Sequence, residues 1–399
     1  MRGLKDWNKL LKKYNLAALL CIGSLNILSA NEQYLSEPKE NILNYSYKKA
    51  VEDSTKLKND WINPITYKYS YLNTQTYDTT KSYISISQPI FKSGGIYYAI
   101  KYAKSVENQT NNSIDVQKKE LIKQVISILY EIKKSDVTLS KQALLIQNAK
   151  LDVQRKKEQV LNGILDTSFL DNAILDLNSK HNSFIDLEYQ RDTFVNTLSQ
   201  LSDKKYDELE LPIFSLIIDD TFIKNNIYIK QVQDEIDTSY WVKNMVKSNY
   251  LPTVNLTADY TRYHNTDNNT ALDESSHTYG FNITIPLDIK YSNTIESAKI
   301  EYLQNKASLE DKKREETVIF KNTQAKLKSL DKKIAIAKSD ITLYDSLVTQ
   351  IQEQLEVGMK TQSDLETIQN SQKIKILEIQ SLKVEKQMEL LELYSRMES

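Results

Sequence analysis

Two proline-free stretches, Ala103 to Gly163 and Ala298 to Gly358, limit the possible folds of this chain more than any other feature. Each spans about 60 residues, and a helix rising 1.5 Å per residue over that length is about 90 Å long, far too long for a compact domain. The first stretch carries apolar residues every seven positions, at Val125, Ile132, Leu139, Ile146, Val153 and Val160. An offset of 195 lands on Phe320, Leu327, Ile334, Ile341, Val348 and Leu355, and all six pairs are apolar. A seven-residue period marks helices packed side by side with coiled-coil geometry. An ordinary amphipathic helix would account for one copy, but not for agreement in register between two.

The offset recurs at other landmarks. Gly163 and Gly358 are 195 apart, as are Ser168 and Ser363, Leu170 and Leu365, and Ala103 and Ala298. With only seven Gly and six Pro, the chain favours long uninterrupted elements. Gly163 and Gly358 read as helix C-caps, where glycine adopts the left-handed conformation without a side-chain clash. A second helix returns through Leu170, Phe184, Leu187 and Leu198 in copy one, and through Leu365, Ile379, Leu382 and Leu393 in copy two. Each copy therefore contains a very long helical hairpin. Asp166 and Asp171 in one copy, and Asp364 and Glu366 in the other, fall near the start of the returning helix. Helix capping and dipole compensation account for such residues as well as any further role does.

Ahead of each hairpin lie strand-like runs. "ITYKYSYL" and "KSYISISQ" precede Pro89, and Gly94 and Gly95 then open the helix. In copy two Val254, Leu256, Ala258 and Tyr260 alternate with polar residues, and Tyr279, Phe281, Ile283 and Ile285 do so ahead of Pro286. A soluble half-buried sheet has the same period. Transmembrane strands with lipid on one side and water on the other account also for the 25 tyrosines, of which Tyr67, Tyr69 and Tyr71 share a face as an interfacial girdle would. The polar loops "NTQTYDTT" and "HNTDNNTALDESSH" separate the strands of each pair. Four strands cannot close a membrane barrel, whose smallest members have about eight, so closure requires other copies of the chain.

The N-terminus carries Arg2, Lys5, Lys9, Lys12 and Lys13 ahead of the apolar run Leu16 to Ile22, and then the small residues Ser29 and Ala30. That is a signal-peptide pattern with cleavage expected after Ala30, the run being shorter than the roughly 20 residues of a spanning helix. Cleavage takes five cations and one anion from totals of 52 and 53, leaving 47 and 52, a mildly acidic chain. It also removes Cys21, the only cysteine. A lipid anchor on Cys21 is the alternative, against which stands Leu20 in a place that favours a small residue. The expected organisation is residues 1–30 as signal, 31–201 as first repeat, 202–219 as linker and 220–399 as second repeat. Balanced charge argues against nucleic acid as a partner. His181, His264 and His277 are scattered without ligand spacing, so no metal or cofactor is expected, and phosphate-loop and hydrolase motifs are absent. An enzyme is not indicated.

Taken in order, "NYLPTVNLTADY", where a helix meets Leu-Pro and a strand begins, and "ISISQPIFKSGG", where a strand meets Gln-Pro and a Gly-rich turn opens a helix, together with "WINPITYKYSY" and "FNITIPLDIK", resemble the TolC family of outer-membrane efflux and secretion channels. The resemblance covers nearly the whole chain after the signal. It implies a mixed α and β membrane fold in which three chains share a twelve-stranded β-barrel in the outer membrane, continued by an α-helical tunnel across the periplasm. It further implies passive conduction as the exit duct of a tripartite efflux pump or type I secretion system, with a periplasmic adaptor and an inner-membrane transporter as partners. The family narrows its tunnel at the hairpin tips, where Asp364 matches the position just after the turn. A ring of three such carboxylates would favour cations. Phe169 stands where Asp364 stands in copy two, so such a ring comes mainly from the second hairpin.

Copy two lacks glycine in "PLDIKYSN", which assigns its strand-to-helix turn to Ser292 and Asn293. The helix read from about Asn41 to Asp60 is shorter than its counterpart from Thr221 to Asn249, implying an incomplete segment of tunnel wall. A periplasmic adaptor or other coiled-coil binding protein is the alternative reading, since such proteins also contain long hairpins. Two hairpins, and strands ending in paired prolines, favour the duct.

Overall fold

The computed structural model describes residues 34–73, 78–264 and 275–398. The expected signal at 1–30, with Cys21, lies outside them, as do the centres of the two polar loops. Residues Tyr34–Glu398 form one compact unit.

Helix α1 (Glu37–Asn59) leads into strands β1 (Thr66–Asn73) and β2 (Asp78–Phe91), then α2 (Gly95–Leu161) and α3 (Thr167–Leu201). After a segment without regular structure come α4 (Asp219–Lys224), α5 (Ile227–Ser248), β3 (Thr253–Tyr263), β4 (Ser275–Thr284), α6 (Tyr291–Glu356) and α7 (Gln362–Tyr394). At 67 and 66 residues, α2 and α6 are each about 100 Å long. Their last residues, Leu161 and Glu356, are 195 apart, as are the first residues of the returning helices, Thr167 and Gln362.

The seven-residue stripe is the packed face. Val125, Ile132, Ile146, Phe320, Leu327 and Ile334 are buried, and the other six members are half-buried. Leu330, Ile334, Ala337, Ile379 and Leu382 form the core of the second hairpin.

Two helix boundaries differ from the sequence reading. The helix expected from Thr221 to Asn249 is two helices, because Asn226 leaves helical geometry to cap α5, its side chain accepting from the backbone N–H groups of Tyr228 and Ile229. What then matches α1, at 23 residues, is α5 at 22. Among the described residues, the shortfall expected of the first copy is therefore not found. The turn into α6 is made by Asp288, whose Oδ1 accepts from Lys290 N at 2.8 Å and whose carbonyl accepts from Tyr291 N. Ser292 and Asn293 already belong to the helix. Aspartate serves here as glycine does in copy one because its side chain can satisfy a local N–H itself.

The four strands form one antiparallel sheet in the order β1-β2-β3-β4. Its strands run further than the sequence reading placed them. Asp78, Thr79 and Thr80 lie in β2 and His277 lies in β4, so the connecting loops are shorter than their polar composition suggests. Pro89 does not end β2. The strand continues to Phe91 through a register shift between Pro89 and Phe91, where a residue without an N–H is tolerated.

Candidate functional site: the faces of the sheet and the hairpin tips

Register decides what the sheet presents. Leu256 is opposite Phe281, Ala258 opposite Tyr279 and Val254 opposite Ile283, while Tyr260 is flanked by Ile84 and His277, and Ile84 in turn by Tyr67. Because paired residues share a face and the side-chain period is two, these apolar sets combine into one surface. Tyr69 and Tyr71 lie on the same surface. The opposite surface collects Lys68, Ser70, Lys81, Tyr83, Ser85, Asn255, Thr257, Asp259, Thr261, Thr278 and Asn282. Tyr279 and Phe281 remain 79% and 70% exposed, so none of the described residues covers that part of the apolar surface. The sheet thus presents one apolar face and one polar face.

The strand-to-helix turns hold the sheet over the helices. Ser93 and Gly94 have φ values of +46° and +85°, and Ser93 Oγ donates to the carbonyl of Pro252 at 2.6 Å, tying the end of β2 to the start of β3. A Cβ on Gly95 would come within 2.6 Å of Ser248 Oγ on α5, so glycine is required there for close approach. Pro286, itself half-buried, lies in a segment without regular structure between β4 and α6.

At the other end, both hairpins turn by the same device. Ile164 N donates to Gln159 O and Gly163 N to Val160 O; in copy two Met359 N donates to Gln354 O and Gly358 N to Leu355 O. This is the Schellman arrangement, with Gly163 and Gly358 left-handed at φ +69° and +75°. Asp166 then caps α3, its Oδ1 accepting from Ser168 N at 2.8 Å, which holds its carboxyl below the usual range. The equivalent cap of α7 is Thr361, paired with Asp364 in a reciprocal capping box. Asp364 Oδ2 accepts from Thr361 N at 3.1 Å and from Thr361 Oγ1 at 2.9 Å. The backbone bond from Thr361 is the main reason that the Asp364 carboxyl is held below the usual range.

Capping therefore explains Asp166 and most of the geometry of Asp364. Asp364 does more, because its Oδ1 also meets Arg155 Nη1 of the first hairpin at 3.3 Å. Beside it Gln147 donates to Glu366, and Asn370, fully buried, donates to Asn148 Oδ1 at 2.9 Å. These bonds tie the tip of the second hairpin to α2. Asp171 is exposed on α3 and makes no such link among the described residues. The four acidic residues singled out from the sequence thus divide into two caps, one contact to α2 and one exposed side chain. Arg155, Gln147 and Asn148 escaped the sequence reading because nothing in a charged coiled-coil face marks which residues oppose another hairpin.

A second polar cluster, also missed, lies midway along the helices. Glu316 is fully buried, with Arg396 Nη1 at 3.0 and 3.2 Å from its two oxygens, Asn226 Nδ2 at 2.9 Å and Lys312 Nζ at 3.4 Å. Arg396 also binds Glu392, and Ile227 N donates to the Arg396 carbonyl. Phe222 stacks on Phe320 beside Leu393 and Met397. The break between α4 and α5 is thereby locked to the end of the chain. One signal was available: Glu316 precedes Phe320 by four residues and so shares its buried stripe.

Comparison with known proteins agrees with this geometry. Residues 224–394 match the family model described as outer membrane efflux protein. No curated protein matches the sequence significantly. Among solved structures, the outer membrane protein VceC from Vibrio cholerae superposes with a TM-score of 0.72 at 12% identity, over 90% of this chain and 93% of that one. The CmeC outer membrane channel of Campylobacter jejuni gives 0.70 at 12% identity, over 89% and 82%. The MtrE outer membrane channel of Neisseria gonorrhoeae, in its open state, gives 0.68 at 10%, over 89% and 85%. Residues 224–394 are thus similar to the outer membrane efflux protein family, and the described chain as a whole has the fold of these outer-membrane channels.

Proposed function

We propose that three copies of this chain form an outer-membrane exit duct that conducts substrates passively, served by a periplasmic adaptor and an inner-membrane transporter. The observation that carries this reading is the sheet, with one apolar and one polar face and with its outer strands β1 and β4 paired on one side only. Open edges on an apolar sheet are not stable in lipid, where every backbone N–H and C=O needs a partner. Pairing of β4 with β1 of the next copy removes both edges, and three copies make twelve strands. Among the described residues no helix is long and apolar enough to cross a membrane, so insertion would rest on the strands. The same assembly gives the exposed apolar residues of α3 and α6, such as Ile185, Ile336 and Leu343, neighbours to pack against. The acidic tip residues Asp364 and Glu366 would then stand around the periplasmic aperture. Conduction through such a duct needs no bond-making chemistry, and its energy comes from the transporter.

The native mass of the protein extracted in detergent from the outer-membrane fraction tests this. A mass of three chains is the expected result. A monomer or dimer recovered without detergent would replace the duct with an adaptor or another coiled-coil binding protein.

A further inference from the structure

Resting on the duct reading, in which three such sheets enclose one bore, we infer that the outer part of that bore is a cationic collar, built from Lys68 and Lys81, that favours anionic cargo. Five charged residues lie in the described strands: Lys68, Asp78, Lys81, Asp259 and Arg262. Register places Lys68, Lys81 and Asp259 on the polar face, and Asp78 and Arg262 on the apolar face close to the hairpin turns. Lys68 is opposite Tyr83 and Lys81 opposite Ser70, so the two lysines are diagonal neighbours on adjacent strands, about 7–8 Å apart at their backbones. Lys81 is also opposite Tyr263, whose phenol is a further donor on the same face. Asp259 pairs with Ser85, two residues nearer the helices than Tyr83, or about 7 Å deeper. Both lysines are exposed, and neither forms an ion pair with a described residue.

A lysine on an edge strand often serves only to prevent unwanted pairing. Within the duct β1 is paired with the next copy, so that explanation fits neither Lys68 nor Lys81, which lies on the interior strand β2. Two ammonium groups at this spacing suit a carboxylate, sulfate or phosphate that both can approach. On the polar face of the described strands, three copies set six lysines against three aspartates, with the lysines nearer the hairpin end. In a narrow bore with low-dielectric walls that excess raises the local concentration of anions.

Reversal potentials in planar bilayers under a KCl gradient test the inference, using the full-length protein and three variants. With Lys68→Gln/Lys81→Gln the chloride-to-potassium permeability ratio falls about threefold at ~0.1 M salt, and the difference shrinks at ~1 M, where the screening length drops from about 10 Å to about 3 Å. Lys68→Arg/Lys81→Arg keeps the wild-type ratio. Arg262→Gln, on the apolar face, keeps it as well. A trimeric Lys68→Gln/Lys81→Gln pore of unchanged selectivity overturns the collar while leaving the duct intact. A shift in Arg262→Gln but not in the lysine variant reverses the two faces and also overturns it. If the wild-type protein forms neither trimer nor pore, the duct reading falls and the collar with it.

Discussion

Replacing Asp364 by Asn separates the two jobs that this residue performs at the hairpin tip. Asparagine keeps an acceptor for the capping box, so the loss there is a fraction of the ~1 kcal/mol typical of a cap. The bond to Arg155 is made between side chains that are 45% and 22% exposed, which places it among surface pairs worth about 0.2–1 kcal/mol. Together the change removes about 1 kcal/mol from each copy, or a factor of about five in the ratio of open to closed tips, since 1.4 kcal/mol is tenfold. Three tips that open together would multiply this to about a hundredfold, an upper limit for the rise in resting conductance. The assay is single-channel recording in planar bilayers, with titration of block by Mg²⁺. Arg155→Gln is the decisive companion, because it breaks the link to the first hairpin and leaves the Thr361–Asp364 box whole. Both variants raise the resting open fraction, the double variant adds little, and Mg²⁺ block weakens only where the carboxylate is lost. The sign with pH follows from the lowered Asp364 carboxyl. The link is present above the unfolded value of about 3.9 and is lost only as pH falls through the lower folded value, so wild-type conductance stays flat from about pH 8 to 5 and rises only once pH falls below the ordinary carboxylate range. Wild-type resting conductance in Arg155→Gln would refute the argument that this contact holds the tip.

Other perturbations test the framework that carries the tip and the bore. Arg396→Met leaves the Glu316 carboxylate buried without its main partner and costs about 3–5 kcal/mol by urea unfolding, whereas Glu316→Gln/Arg396→Met costs clearly less; equal losses would argue against a buried ion pair. Gly95→Ala puts a Cβ against Ser248 Oγ and destabilises by about 1–3 kcal/mol, most of it recovered in Gly95→Ala/Ser248→Ala. Gly358→Ala meets open space but keeps φ at +75°, so it costs about 1–2 kcal/mol through the backbone alone, and no second-site change nearby relieves it. Burial lowers Lys119 to about 8, while its ammonium donates to the Met397 carbonyl. The unfolded chain therefore binds the proton more tightly between about pH 8 and 10.5, and wild-type stability rises with pH across that window relative to Lys119→Met, as thermal unfolding at several pH values will register.

Much of this protein was legible in one dimension. Helical hairpins repeat a seven-residue stripe because helices packed side by side over about 100 Å must keep one apolar seam facing the partner, and the stripe from Val125 to Val160 reappears at Phe320 to Leu355. Gly163 and Gly358 declare their turns because a left-handed residue without a Cβ clash is nearly always glycine. Strand alternation in copy two named its apolar set, from Val254 to Ile283, before any pairing was known. What the chain could not reveal by itself was which elements meet. Only register brings Lys68 diagonally beside Lys81, since a one-residue slip would move either to the other face. Arg155 finds Asp364 across 209 positions, and Arg396 finds Glu316 across 80, because helices far apart in sequence lie side by side. Local patterns are set by the backbone's own geometry, with periods of two, 3.6 and seven residues. Partnerships between distant polar groups depend on how whole elements dock, and that only the tertiary structure decides.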